Sequence, residues 1–241
     1  MYPYIKLLGT RLPIFNLMIG LSLILGFLIY EKQENIFNRD VFIKKNKEII
    51  FLITIISSFI FAALLENFYH RDFSKIGKYG ITFYGGILAS LLINFILLKC
   101  SLDRFLLLIN VSTPSLLISH SLGRIGCFFA GCCYGSKTSL IWGIVYLDGE
   151  KRVPIQLIES FILFVSYWIL IRRINFKNRY LFYFTIYPIS RFIIEFFRAD
   201  DRGYFYGSLL SPSQFISIFL IVMSVLVYLK KTKNKLVNSC N

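Results

Sequence analysis

Seven apolar runs, each close to the length of a bilayer-crossing helix, constrain this chain more than any other feature in it. A hydrocarbon core about 30 Å thick needs roughly 20 apolar residues per helical crossing, and such runs occupy residues 12–30, 49–68, 79–98, 104–120, 154–171, 180–197 and 212–229. Inside hydrocarbon each backbone N–H and C=O must find a partner within the protein, which leaves helices as the default. The expectation is an all-α integral membrane protein with seven transmembrane helices, built as a single polytopic domain over residues 1–241. The fourth run is interrupted by Ser112, Thr113, Pro114 and Ser115, which predicts a kinked or broken helix there.

Hydrophobic residues make up 56% of the chain and the formal net charge is +14. That charge does not point to nucleic acid, because the lysines and arginines are scattered between apolar spans rather than gathered on one soluble face. Basic loops instead favour anionic lipid surfaces and set topology. The segments after spans one, three and five, with the tail, carry the excess, led by Lys44, Lys45, Lys47, Arg172, Arg173 and the lysines 230–235. The amino terminus is therefore expected outside, and residues 121–153 on the extracytoplasmic side. Lys6 and Arg11 precede an apolar run as in a secretory signal, yet Glu31-Lys32-Gln33 follows it instead of a small-residue cleavage site, so the first span is expected to be retained. Tyr2 and Tyr4 fit interfacial anchors on an amphipathic lead.

Between spans four and five lies His120-Ser121-Leu122-Gly123-Arg124-Ile125-Gly126-Cys127-Phe128-Phe129-Ala130-Gly131-Cys132-Cys133-Tyr134-Gly135. Glycines allow backbone N–H groups to approach a ligand, and arginine offers a fixed cationic fork suited to phosphate. A phospholipid headgroup is the expected guest. Further on, residues 140–147 meet Asp148-Gly149 before residues 151–153, a hairpin signal. It predicts a small extracytoplasmic β-ribbon between helices four and five, either a shield over a site or a plain connector.

Span six contains a second anomaly, since Arg191 and Glu195 sit within an apolar helix that Arg198 closes. An arginine at mid-bilayer costs roughly 2.5–3.5 kcal/mol even on the lenient insertion scale. Tyr187, Arg191, Glu195 and Arg198 share one helical face. Either the pair neutralises itself and ties helices together, or Arg124, Arg191 and Arg198 converge on one anionic headgroup. Gln156 and Glu159 add polar groups at the start of span five.

Three elements in this order, Gly123-Arg124-Ile125-Gly126-x-Phe128, Pro154-x-Gln156-Leu157-x-Glu159 and Arg191-Phe192-x-x-Glu195-Phe196-Phe197-Arg198, resemble the prolipoprotein diacylglyceryl transferase family. Gln214, opening the last span after Ser211-Pro212-Ser213, agrees. The resemblance implies a transferase of the bacterial cytoplasmic membrane. Its reaction would move the diacylglyceryl group of phosphatidylglycerol to the lipobox cysteine of a prolipoprotein signal peptide, with glycerol phosphate released and no metal or soluble cofactor. The family's signature arginine falls on Arg124, and its late arginine and glutamate on Arg191 and Glu195. Arg198, Gly123, Gly126, Cys127, Gln156, Glu159 and Gln214 are the expected binding set, with Gln156, Glu159 and Gln214 expected to hydrogen-bond from helix to helix rather than take part in the chemistry.

Departures from the family pattern are specific. Tyr84-Gly85-Gly86 stands where the family has His-Gly-Gly, so either Tyr84 only binds, alongside Gly85 and Gly86, or the base lies elsewhere. Tyrosine, with a reference pKa near 10, is a poor base at neutral pH. His120, four residues before Arg124 and with a reference pKa near 6.5, is the candidate substitute, and His70 a remote one. Cys127 and Cys132 replace an asparagine and a glutamate. With Cys133 they could pack, pair as a disulfide, carry an acyl group or hold a metal, although Cys-x4-Cys-Cys lacks the paired spacing of zinc sites. A non-catalytic lipid carrier, or a transferase with another acceptor, is the competing reading on the same scaffold.

Overall fold

The computed structural model describes residues 3–7, 10–38, 40–70, 82–146, 148–199 and 210–239, with the backbone alone for 6–7, 10 and 230–239. In chain order the described elements are β1 (Tyr4–Leu7), β2 (Thr10–Pro13), α1 (Ile14–Phe37), α2 (Val41–Tyr69), α3 (Phe83–Leu97), α4 (Leu102–Ala130), β3 (Ile144–Val145), β4 (Lys151–Arg152), α5 (Ile155–Arg173), α6 (Arg179–Glu195) and α7 (Pro212–Ser239). The chain is therefore predominantly helical with two small antiparallel sheets. Five helices, α1, α2, α4, α5 and α7, are long and apolar enough to cross a membrane. The third and sixth expected spans are shorter: α3 has 15 residues and α6 has 17. Residues 79–81 of the third span lie outside the described residues.

Three expectations gain detail. The lead around Tyr4 forms an antiparallel strand pair, Tyr4 pairing with Pro13 and Leu7 with Thr10; Tyr2 is outside the described residues. Helix α4 is not broken at Pro114 but runs on to Ala130. Hydroxyl and amide side chains reach back to carbonyls one turn earlier, Asn110 to Leu106 and Ser112 to Leu108, and Ser115 donates to the Gly26 carbonyl of α1 at 2.6 Å. Hydroxyl and amide side chains in a membrane helix thus find acceptors on its own backbone or on a neighbouring helix. The β-ribbon between α4 and α5 exists, but each strand has two residues, joined through a turn in which Gly149 takes φ +78°.

The described residues fall into two compact units, one comprising Met1–Tyr30, Thr113–Asp201 and Ile216–Asn241, the other Glu31–Ser112 and Arg202–Phe215. In the first, α4 is the organising helix. Ser119 donates to the Ser22 carbonyl of α1 at 2.8 Å, and a Cβ on Gly126 would stand 3.1 Å from the Met18 Cβ. On its other side the Ser121 and Ser160 hydroxyls lie 2.8 Å apart and each reaches the other residue's carbonyl, which clamps α4 to α5. Ser224 of α7 donates to the Phe184 carbonyl of α6. Small residues and hydroxyls at helix contacts replace the hydrophobic drive that is absent inside a bilayer.

In the second unit α2 and α3 pack closely. Asp40 caps α2 by accepting from the Phe42 and Ile43 amides and holds the Arg104 guanidinium at 2.8 Å. Burial alone would raise the Asp40 carboxyl, yet the Ile43 amide and Arg104 hold it below its ordinary range. Thr54 of α2 bonds Asn94 of α3 at 2.9 Å. At Gly85 a Cβ would meet the Ala62 Cα and the Phe61 carbonyl oxygen at 2.9 Å, whereas at Gly86 the nearest atom is 3.4 Å away. Gly85 is thus required by backbone contact and Gly86 is not. Gly85→Ala is expected to lose about 1–3 kcal/mol through overpacking, with Gly86→Ala nearly neutral, read as thermal unfolding of the purified proteins in detergent; equal midpoints would refute the assignment.

Candidate active site

The signature between spans four and five is helical as far as Ala130, which corrects the expectation of a glycine loop at Ser121–Ala130. The Gly123 and Gly126 amides belong to the helical ladder, so these glycines do not form a backbone cradle for phosphate. Gly126 instead admits Phe15 and Met18 of α1, while Gly123 faces open space. The physical reason is solvent: with no water to satisfy an open loop, helical hydrogen bonds outweigh the glycine penalty.

Helicity puts His120 and Arg124 one turn apart on the same side of α4. Both are buried, and both meet Glu159 of α5, which is only 1% exposed. Arg124 Nη2 donates to Glu159 Oε1 at 2.8 Å. The Tyr187 hydroxyl donates to the same oxygen at 3.3 Å, and His120 Nε2 stands 4.0 Å from it. On the second carboxylate oxygen, Arg191 Nη1 lies at 3.9 Å. Arg191 Nη2 pairs with Glu195 Oε2 at 2.5 Å, and Arg198 Nε is 3.8 Å from that same oxygen.

The α6 face thus reads as the sequence suggests, with Tyr187, Arg191, Glu195 and Arg198 in line, and it extends one turn back to Tyr183. The Tyr183 and Tyr187 rings stack at 5.7 Å, and the Tyr183 hydroxyl is 3.5 Å from His120 Nδ1. The Tyr187 ring also meets the His120 ring edge-on at 4.7 Å. Sequence reasoning missed Tyr183, although its place one turn before Tyr187 on the polar stripe was a readable signal. It also ranked Glu159 as an accessory, whereas this carboxylate joins all the arms of the site.

Arg198 is anchored by the chain after α4 rather than by helix packing. Gly135 and Arg198 form an antiparallel bridge, the Ser136 amide donates to the Phe197 carbonyl at 2.8 Å, and the Ala199 amide to the Tyr134 carbonyl. The same segment bridges Lys137 to Arg152 of β4. Gln156 reaches it as well, donating to the Cys132 carbonyl while accepting from the Tyr146 hydroxyl at 2.8 Å. Burial pushes that phenol up to about 12, so it stays a donor. In the turn, the Arg152 guanidinium holds the Asp148 carboxyl below its ordinary range.

Cys127, Cys132 and Cys133 also come together, their sulfurs all within 4.8 Å of one another. The remaining expected residues lie in the second unit. Tyr84 is buried in α3, and His70 ends α2 with its Nε2 3.8 Å from Glu66. Gln214 accepts from the Ser211 amide at 2.9 Å while the Ser211 hydroxyl accepts from the Gln214 amide. That reciprocal capping box, with Pro212 opening α7, gives Gln214 a local partner rather than the one across helices expected of it.

Chemically, the cluster is a knot of buried charge. Three guanidinium groups, Arg124, Arg191 and Arg198, face two carboxylates, Glu159 and Glu195, with every one of these side chains at most 9% exposed. Burying so many charges costs several kcal/mol unless they are paired and hydrogen-bonded. Among the described residues the Arg124 Nε–H has no acceptor. A phosphodiester oxygen would supply one.

The chain is similar in sequence to known proteins over most of its length. The sequence model of the family described as Prolipoprotein diacylglyceryl transferase matches residues 3–230. The phosphatidylglycerol–prolipoprotein diacylglyceryl transferase 2 of Clostridium perfringens is 30% identical, covering 92% of this chain and 92% of its own. The Finegoldia magna phosphatidylglycerol–prolipoprotein diacylglyceryl transferase is 28% identical over 95% of this chain and 94% of its own, and the Clostridium tetani protein of that name 33% identical over 62% and 63%. With five described helices long and apolar enough to cross a membrane, the chain is a multi-pass membrane transferase and belongs to the prolipoprotein diacylglyceryl transferase family.

Proposed function

We propose that this protein transfers the diacylglyceryl group of phosphatidylglycerol to the lipobox cysteine of a prolipoprotein at the outer face of the bacterial cytoplasmic membrane. The whole chain acts as one domain. Seven crossings with the amino terminus outside fit the lysine and arginine bias, with α3 and α6 as the short ones, and put the ribbon over the site. The observation that supports the reading best is the gathering of Arg124, Arg191 and Arg198 around Glu159 and Glu195, with the Arg124 Nε–H lacking an acceptor among the described residues, in a chain of this family.

The reaction breaks the bond between a glyceryl carbon of the diacylglyceryl moiety and its phosphate oxygen and forms a carbon–sulfur bond at the same carbon. The acceptor thiol loses its proton to a base, and the phosphate oxygen leaves with the bonding electron pair, giving glycerol phosphate and a thioether. Arg124 and Arg191 stabilise the leaving phosphate as its charge grows. Arg198 is a further phosphate contact. Glu159 and Glu195 hold the guanidinium groups in place and are themselves screened from the substrate anion by them. His120, in the cluster and edge-on to Tyr187, is the candidate base for the thiol.

Arg124→Ala and Arg191→Ala are each expected to lower transfer from labelled phosphatidylglycerol to a lipobox peptide by about 10²-fold or more, the scale of losing one donor to a developing oxyanion. The diacylglyceryl mass gain on the peptide is the readout, with membrane insertion checked separately. Full activity in either variant removes the residue from the mechanism, and no mass gain with the unaltered protein favours a lipid carrier.

His120→Gln is expected to slow transfer by about 10²- to 10⁴-fold, while Tyr84→Phe, which keeps the ring and removes only the hydroxyl, costs little. A severe loss in Tyr84→Phe with an active His120→Gln would move the proton transfer to α3.

A further inference from the structure

We propose that Cys127, Cys132 and Cys133 form a three-sulfur site for a soft, thiophilic cation of the Cu(I) or Zn(II) class. The three sulfurs come from the last turn of α4 and the turn that follows it, and no pair of them is more than 4.8 Å apart. With metal–sulfur bonds of about 2.3 Å, sulfurs around one trigonal or tetrahedral ion sit roughly 3.8–4.0 Å from each other. Rotation of the side chains closes the difference.

The backbone explains how such a compact set arises from Cys-x4-Cys-Cys, a spacing without paired cysteines. Gly131 takes φ +74°, the Cys132 amide donates to the Cys127 carbonyl at 3.2 Å, and the Gly131 amide to the Phe128 carbonyl at 3.1 Å. This is the Schellman termination, which folds the residue two beyond the helix back over the one three from its end. Cys132 therefore lands on Cys127. Cys133 then takes φ +61°, a left-handed conformation disfavoured for a residue other than glycine, asparagine or aspartate, and its sulfur joins the other two.

Donor chemistry selects the occupant. Thiolates favour Cu(I) and Zn(II) over hard cations such as Mg(II), which prefer oxygen. Among the described residues, the group of candidate ligands contains these three alone. Three sulfurs without a fourth protein donor suit a trigonal ion, or a tetrahedral one completed by solvent on the exposed Cys132 side. The Arg124 guanidinium, one turn back, interacts electrostatically with Cys127 and Cys133 and offsets the negative charge of a metal–trithiolate. The Gln156 amide grips the Cys132 carbonyl and holds the turn in register.

The test is titration of the full-length protein, purified in detergent under reductant, with Cu(I) and separately with Zn(II) against chromogenic competing chelators, with Mg(II) as the hard control. One equivalent of Cu(I) or Zn(II) is expected to bind and Mg(II) not at all. Cys132→Ser and Cys133→Ser are each expected to weaken binding at least about 100-fold, more than the 10- to 100-fold typical of losing an outer-shell partner. Cys132 is exposed, so Cys132→Ser keeps the test open should Cys127→Ser fail to fold. Binding no tighter than in the triple serine variant overturns the proposal. So does a disulfide among the three that persists in reductant and leaves the protein unable to take up metal.

Discussion

A single buried carboxylate, Glu159 of α5, ties α4, α5 and α6 together. Carboxylates are almost never fully buried without cationic partners, and the partners here come from two other helices: Arg124 on α4, and Tyr187 and Arg191 on α6. Such a hub makes three helices one object in a medium where apolar contact gives little preference for one helix neighbour over another. Breaking it by removing one partner would strand a charge, and that is what makes the arrangement specific to one packing.

The hub also gathers charge. It brings Arg124, Arg191 and Arg198 together with Glu159 and Glu195 across three helices, and preorganised charge in a dry site is the form in which electrostatics lowers a barrier most. Arg198 is tied to the segment after α4 by backbone bonds from Ser136 and to Tyr134. The end of α6 and the end of α4 are consequently one scaffold, and the thiol trio lies on the same scaffold.

Several features were legible from residue order. The apolar runs announced helices because length and hydropathy are local quantities, and Asp148-Gly149 announced its turn because only a few residues accept the backbone angles needed. The Tyr187-Arg191-Glu195-Arg198 stripe followed from helical periodicity alone. Glycine at 126 misled, since the same residue serves a ligand-binding loop and a close helix contact, and only Phe15 and Met18 of α1 decide between them. Gln214 misled for a related reason: an amide can bond its own helix end as readily as another helix.

The sequence by itself determined that this chain is built of membrane helices, and it named the three arginines and the glutamate of α6, because hydropathy and the cost of a charge in hydrocarbon depend on composition along a short stretch. Tertiary structure alone decided that Glu159 joins them, that Tyr183 and His120 share their surroundings, and that three cysteines across an awkward spacing converge. Those outcomes depend on which helix faces meet and on how α4 ends at Gly131. The pairing of faces is a property of the whole chain, since each buried charge can be satisfied only by a partner that folding delivers from elsewhere.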